Sequence, residues 1–180
     1  KWGDLEKFNL PLTDIVFIDR WILNDKSLLE SNLYAYLKIL CQKSKYCVNI
    51  ILYVEKEKVK TQLMEVIDEI KELIRPITSE SPNVTIVTYT AQRGLDSLEE
   101  HDRTIFTNYL RIKSGDTFNY WLSSSAKKTK GRQIQYNSLA KKEEYDLVKD
   151  LIDDLQGYVN FLKNNGAITG DKKSNFLNFD

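Results

Sequence analysis

The chain has 180 residues, with 26 Lys and Arg against 26 Asp and Glu, one His, two Cys and 42% hydrophobic residues. That length fits one domain, since single cores commonly run to about 100–200 residues, and the zero net charge excludes a surface built throughout for nucleic acid or anionic membrane while leaving room for local patches. A lone His excludes any site within one chain that uses two imidazoles, as zinc ligands or as an acid and base pair. Reading from the N-terminus, Lys1 in place of Met predicts a fragment of a longer protein, and KWGDLEKF lacks the basic-then-apolar order of a signal peptide. No run anywhere approaches the roughly 18 apolar residues needed to span a bilayer.

Ile15 to Ile18, Cys47 to Val54 and Val84 to Tyr89 are β-branched and apolar, and read as strands. Between the first two, Ser27 and Glu30 make a capping box, and Leu29, Leu33, Tyr36, Leu37 and Leu40 form an apolar stripe at helical spacing. Between the second and third, Val59, Leu63, Val66, Ile67, Ile70 and Ile74 do the same, with Pro76 predicted just past the helix end. This alternation predicts βαβ crossovers and a mixed, mostly parallel sheet flanked by helices, in a single α/β domain over residues 1–180. Cys41 and Cys47 form no CxxC pair and read as small buried hydrophobes of a reducing, cytoplasmic compartment. After Thr90 come a polar loop, strand-like pieces around Ile105, Ile112 and Tyr120, and SSSAKKTKGRQ, which reads as a mobile basic loop. A long helix carrying Val148, Leu151, Ile152, Leu155, Val159 and Leu162 is expected to run to Asn165-Gly166, and the tail beyond Ala167 is polar except for Phe176, Leu177 and Phe179.

GxxxxGK[ST], GxGxxG and GxSxG are all absent. The segment with chemistry is His101-Asp102-Arg103, four residues, Asn108, six residues, then Gly115 and Asp116. This spacing resembles the phospholipase D-like superfamily, whose signature is HxK, four residues, D, six residues, then G with a small polar residue. Spacing agrees throughout. Arg103 replaces the family's Lys, Asn108 its Asp and Asp116 its small residue, while Phe118 stands where an Asn usually falls. The HDR form also looks like the phospholipase D-like domain that ends eukaryotic MIT-domain proteins, where such a domain binds membranes.

The resemblance implies a phospholipase D-like fold and candidate catalytic positions at His101, Arg103 and Asn108, side by side at the carboxyl edge of the sheet, with no cofactor. In the family one His attacks phosphorus and a second protonates the leaving oxygen, so catalysis here would take a homodimer that brings two His101 together. Arg103 suits phosphate, because its planar fork holds two oxygens at once. Asn108 cannot supply the negative charge that supports an imidazolium, and loss of such a carboxylate costs on the order of 10⁴ in rate.

From His101 to Lys142, Arg103, Arg111, Lys113, Lys127, Lys128, Lys130, Arg132, Lys141 and Lys142 face only Asp102 and Asp116, an excess of seven positive charges. Phosphate binding is accordingly expected from Lys113, Gly115, Lys127, Lys128, Lys130 and Arg132, and Tyr109, Tyr120, Trp121 and Tyr136 are candidates for stacking on bases. The expected function is non-catalytic binding of a phosphate-bearing polyanion, nucleic acid or anionic lipid headgroup; the alternative is a metal-independent phosphodiesterase or nuclease. Asp14 and Asp19 flank the first strand and could begin a metal site, but no second acidic pair follows the other strands, so Asp19 reads as a turn or ion-pair residue.

Overall fold

The structure is a computed structural model and describes residues 3, 6–7, 9–90, 103–121, 133–163 and 167–180. Three parallel strands form its centre: β1 (Asp14–Ile18), β2 (Asn49–Glu55) and β3 (Asn83–Tyr89). They are linked by helical crossovers. The first comprises α1 (Lys26–Leu29), a π-helical turn at Glu30–Tyr34, and α2 (Ala35–Cys41), and the second is α3 (Leu63–Thr78). β4 (Thr104–Thr107), β5 (Leu110–Ser114) and β6 (Ile134–Ser138) extend the sheet beyond β1 as an antiparallel meander. α4 (Lys142–Leu162) then crosses the sheet, and β7 (Ile168–Gly170) closes the far side against β3.

The described strands form one sheet in the order β6-β5-β4-β1-β2-β3-β7. It is mixed, and mostly antiparallel rather than mostly parallel: two of its six pairings are parallel. A parallel neighbour needs a long crossover, whereas β4 turns into β5 through only Asn108 and Tyr109 and must reverse direction.

Alternation along the strands splits the core into two layers. Ile15, Phe17, Ile50, Leu52, Ile86, Ile105 and Ile112 face α1 to α3, where Leu29, Leu33, Leu37, Leu40, Val66, Ile67 and Ile70 are buried against them. Val16, Ile18, Ile51, Tyr53, Val87 and Phe106 face α4 through Val148, Leu151, Leu155 and Val159. The helical stripes therefore bury as their spacing predicts. Their ends differ. Asp25, not Ser27, caps α1, accepting from the Ser27 N–H at 2.9 Å and its hydroxyl at 2.7 Å, and Glu30 falls in the π turn. Pro76 lies inside α3, in the last turn, where its missing N–H forfeits a single bond, and Ser79 at φ 61° ends the helix instead. Val59 precedes α3 and Tyr120 lies outside any strand. In the tail, Leu177 and Phe179 are buried under α4 and the Phe176 ring packs on Phe106, so these residues pin it down. The segment 122–132 and Asn165-Gly166 lie outside the described residues.

Candidate phosphate-binding edge of the sheet

The carboxyl ends of β1, β2 and β3 form one edge, where open α/β sheets bind ligands. β4 runs antiparallel to β1 with Thr104 opposite Ile18, so Arg103 stands on this edge, level with Asp19. Its backbone is left-handed at φ 74°, a conformation costing a non-glycine residue on the order of 1–3 kcal/mol and persisting where surroundings enforce it. Here the Arg103 carbonyl accepts from the Ser114 N–H at 3.0 Å, and Nη1 lies 3.4 Å from the Gly115 carbonyl and 3.9 Å from Asp116. A third of the side chain remains exposed.

Lys113 pairs with Thr104 one residue inward and shares the α4 face of the sheet with Arg111. Gly115 has room for a Cβ, and its N–H donates to Gln133 at 3.2 Å, so the structure gives no steric reason for glycine there. Arg103, Lys113, Gly115 and Asp116 thus gather at one end of β4 and β5. Asn108 does not join them. It follows Thr107 at the opposite, amino edge, a strand length or about 17 Å from Arg103 at about 3.4 Å per residue, and its Oδ1 accepts from the Thr13 N–H at 3.2 Å. The expected row of His101, Arg103 and Asn108 is corrected to this extent, because four strand residues separate the last two. His101, Lys127, Lys128, Lys130 and Arg132 lie outside the described residues.

Two further expectations change. Arg111 contributes no surface charge: its side chain is 5% exposed and Nη1 donates to Glu144 of α4 at 2.7 Å. Tyr109, Tyr120, Trp121 and Tyr136 pack against the α1–α3 core layer. Tyr109 also bonds the Leu10 backbone at 2.9 and 3.1 Å, and burial pushes the Tyr136 phenol up to about 12. Tyr120 is buried, and the other three are partly buried.

Beside Arg103, a buried polar network fixes the segment after β5. Asp19 is fully buried; one oxygen accepts from the Trp21 N–H at 2.9 Å, the other from the Thr117 hydroxyl at 2.7 Å and the Phe118 N–H at 2.5 Å. Asn119 donates to the Trp21 carbonyl at 2.8 Å and to Asn24 at 3.1 Å. From the π turn, Asn32 takes the Trp121 N–H at 2.7 Å and donates to the Trp121 carbonyl at 2.8 Å. Asp19 is therefore a turn and clamp residue. Asp14 plays the same part at the amino edge, accepting from Asn49, Ser174, the Asn175 N–H and the Asn175 amide at 2.6–3.1 Å. Sequence reasoning missed Asn32 and Asn119, although a lone Asn beside an apolar helical stripe is a visible signal that a backbone needs partners.

Further along the edge, Glu55 lies 3.7 Å from Arg20 and 3.9 Å from Lys58, and Lys58 sits 4.5 Å from the centre of the Trp21 ring. No group of three or more His, Cys, Asp or Glu that could hold a metal ion forms among the described residues, and none of their helices is long and apolar enough to cross a membrane. No protein-family model matches the chain, and no curated protein matches it.

Proposed function

We propose that this α/β domain is a degenerate phospholipase D-like module that binds a phosphate-bearing ligand at the carboxyl edge of its sheet without cleaving it. The observation that carries the reading is Arg103, a partly exposed guanidinium held in a left-handed backbone conformation at that edge, with Lys113 a residue away and a rigid platform beside it. Backbone strain of this kind collects where a side chain must be aimed. The family's two-imidazole chemistry has one His per chain to draw on, and Asn108 is occupied at the other end of β4, which favours binding over turnover.

The test is binding of inositol hexakisphosphate and of a short single-stranded oligonucleotide as salt is varied. Arg103→Gln should weaken both about tenfold and reduce the oligonucleotide salt slope by about one. Unchanged affinity would remove Arg103 from the site. Hydrolysis of a generic phosphodiester that survives chelator and vanishes in His101→Ala would replace binding by catalysis at a site built from two chains.

A further inference from the structure

We infer that the ligand of this edge is single-stranded nucleic acid, one base of which enters a cleft formed by Lys56, Thr88, Thr90, Tyr158 and Phe161 while a phosphate meets Arg103; the inference rests on the binding reading above. The cleft lies at the carboxyl ends of β2 and β3, has a volume of about 300 Å³, and is also lined by Leu162 and Ala167. That volume lies at the lower end of the range for small-ligand clefts, about 300–1,000 Å³.

Its chemistry suits a planar ring attached to an anion. Phe161 projects from the last turns of α4 and is half exposed, the most exposed aromatic of the two helical layers except Tyr145. The Tyr158 ring lies 6.3 Å from it at 32° and is itself braced edge-on by Tyr89 at 6.3 Å and 87°. A braced ring loses little freedom when a base stacks on its neighbour. Lys56 adds a cation and Thr90 a hydroxyl, while the Thr88 hydroxyl donates to the Ala167 carbonyl at 3.4 Å and keeps its lone pairs as acceptors. The sequence placed the stacking aromatics at Tyr109, Tyr120, Trp121 and Tyr136, which pack against the opposite layer; here the exposed Phe161 offers the stacking face and the buried Tyr158 supports it.

Geometry separates a nucleic acid from a lipid headgroup. β3 lies three strands from β4, about 14 Å at roughly 4.8 Å per spacing. Between the cleft and Arg103 the edge carries Arg20 and Lys58, both paired with the Glu55 carboxylate, a net excess of one positive charge along this path. A strand with alternating phosphates and rings can follow such a path, with bases tolerated by stacking rather than read by hydrogen bonds. A headgroup carries phosphates but no aromatic ring to occupy the cleft.

The experiment compares the whole domain with Phe161→Leu, Lys56→Gln and Arg103→Gln, using a fluorescent oligothymidine, inositol hexakisphosphate and phosphoinositide-containing vesicles. Phe161→Leu keeps apolar bulk and should lower oligothymidine affinity about tenfold, leave its salt slope unchanged and leave inositol hexakisphosphate affinity unaltered. Lys56→Gln should lower the salt slope by about one. If Arg103→Gln weakens both soluble ligands while Phe161→Leu weakens neither, the cleft claim falls and the phosphate reading stands. If no variant changes any affinity, both fall. A loss in Phe161→Leu confined to vesicles would make Phe161 a membrane-inserting residue and overturn the nucleic-acid assignment.

Discussion

Asp19 shows how one side chain can hold an edge in place. Its carboxylate is buried and receives three donors from two segments far apart in sequence. In Asp19→Asn an amide N–H must face at least one of those donors. A buried donor without a partner costs about 1–3 kcal/mol, and charged bonds carry more, so the variant should lose about 3 kcal/mol of stability. Urea unfolding with an unchanged m-value is the measurement, and a loss below about 1 kcal/mol would contradict the clamp. Thr117→Val removes one donor to Asp19 and the acceptor of the Asn119 N–H, and should cost about 1–2 kcal/mol alone. The aspartate was visible in the sequence as the middle residue of FIDRW, just past the first strand, but its partners stand 98 and 99 positions away, beyond the reach of any local pattern.

Elements stop and join through a few backbone positions. Ser79 ends α3 at φ 61° and is exposed. Glycine adopts that conformation without steric cost, so Ser79→Gly should gain about 0.5–1 kcal/mol, read as a rise in Tm of about 2 °C. Gly170 presents the reverse case. At φ 108° it brings β7 so close to β3 that an added Cβ would lie 2.1 Å from the Val84 carbonyl oxygen. Gly170→Ala should therefore cost about 3 kcal/mol and raise amide exchange at Ile168 and Thr169 first, since β7 pairs only there and at Gly170. The π turn belongs to this scale too. It carries Asn32, whose side chain bonds both backbone groups of Trp121, and Asn32→Ala should remove about 2 kcal/mol and expose the Trp121 amide to exchange.

Across the whole molecule, burial sets the alkaline limit of stability. It pushes the Cys41 thiol up to about 12 and the Tyr136 phenol to about 12, and it raises Tyr34, Tyr36 and Tyr53 as well, Tyr34 with further help from Glu69, which accepts its hydroxyl. Each group titrates at a higher pH folded than unfolded. Between the unfolded values, about 8.5 for Cys and 10 for Tyr, and the folded ones, the native state holds more protons, so stability falls as pH rises. The contribution is intact below pH about 8.5 and lost progressively towards 12. Urea midpoints should change little between pH 7 and 8 and drop steeply between pH 9.5 and 11. Cys41→Ala should not remove that drop, because the tyrosines carry most of it.

The sequence by itself determined the three central strands, both flanking layers and most buried positions, because alternation and helical spacing are local consequences of backbone geometry and need no knowledge of the partner surface. It also singled out Arg103, Lys113 and Gly115, which the fold gathers at one edge. Only the tertiary structure decided the rest. β4 and β5 reverse because the two-residue link between them permits nothing else, and β6 adds a third antiparallel strand after a much longer connection; this sends Asn108 to the amino edge while Arg103 stays at the carboxyl edge. Pairing with Glu144 withdraws Arg111 from the surface, and the core takes in Tyr120 and covers part of Tyr109, Trp121 and Tyr136. Charge and aromaticity are properties of residues, whereas their availability to a ligand depends on which neighbours arrive from a hundred positions away, and that depends on how the strands order themselves in the sheet.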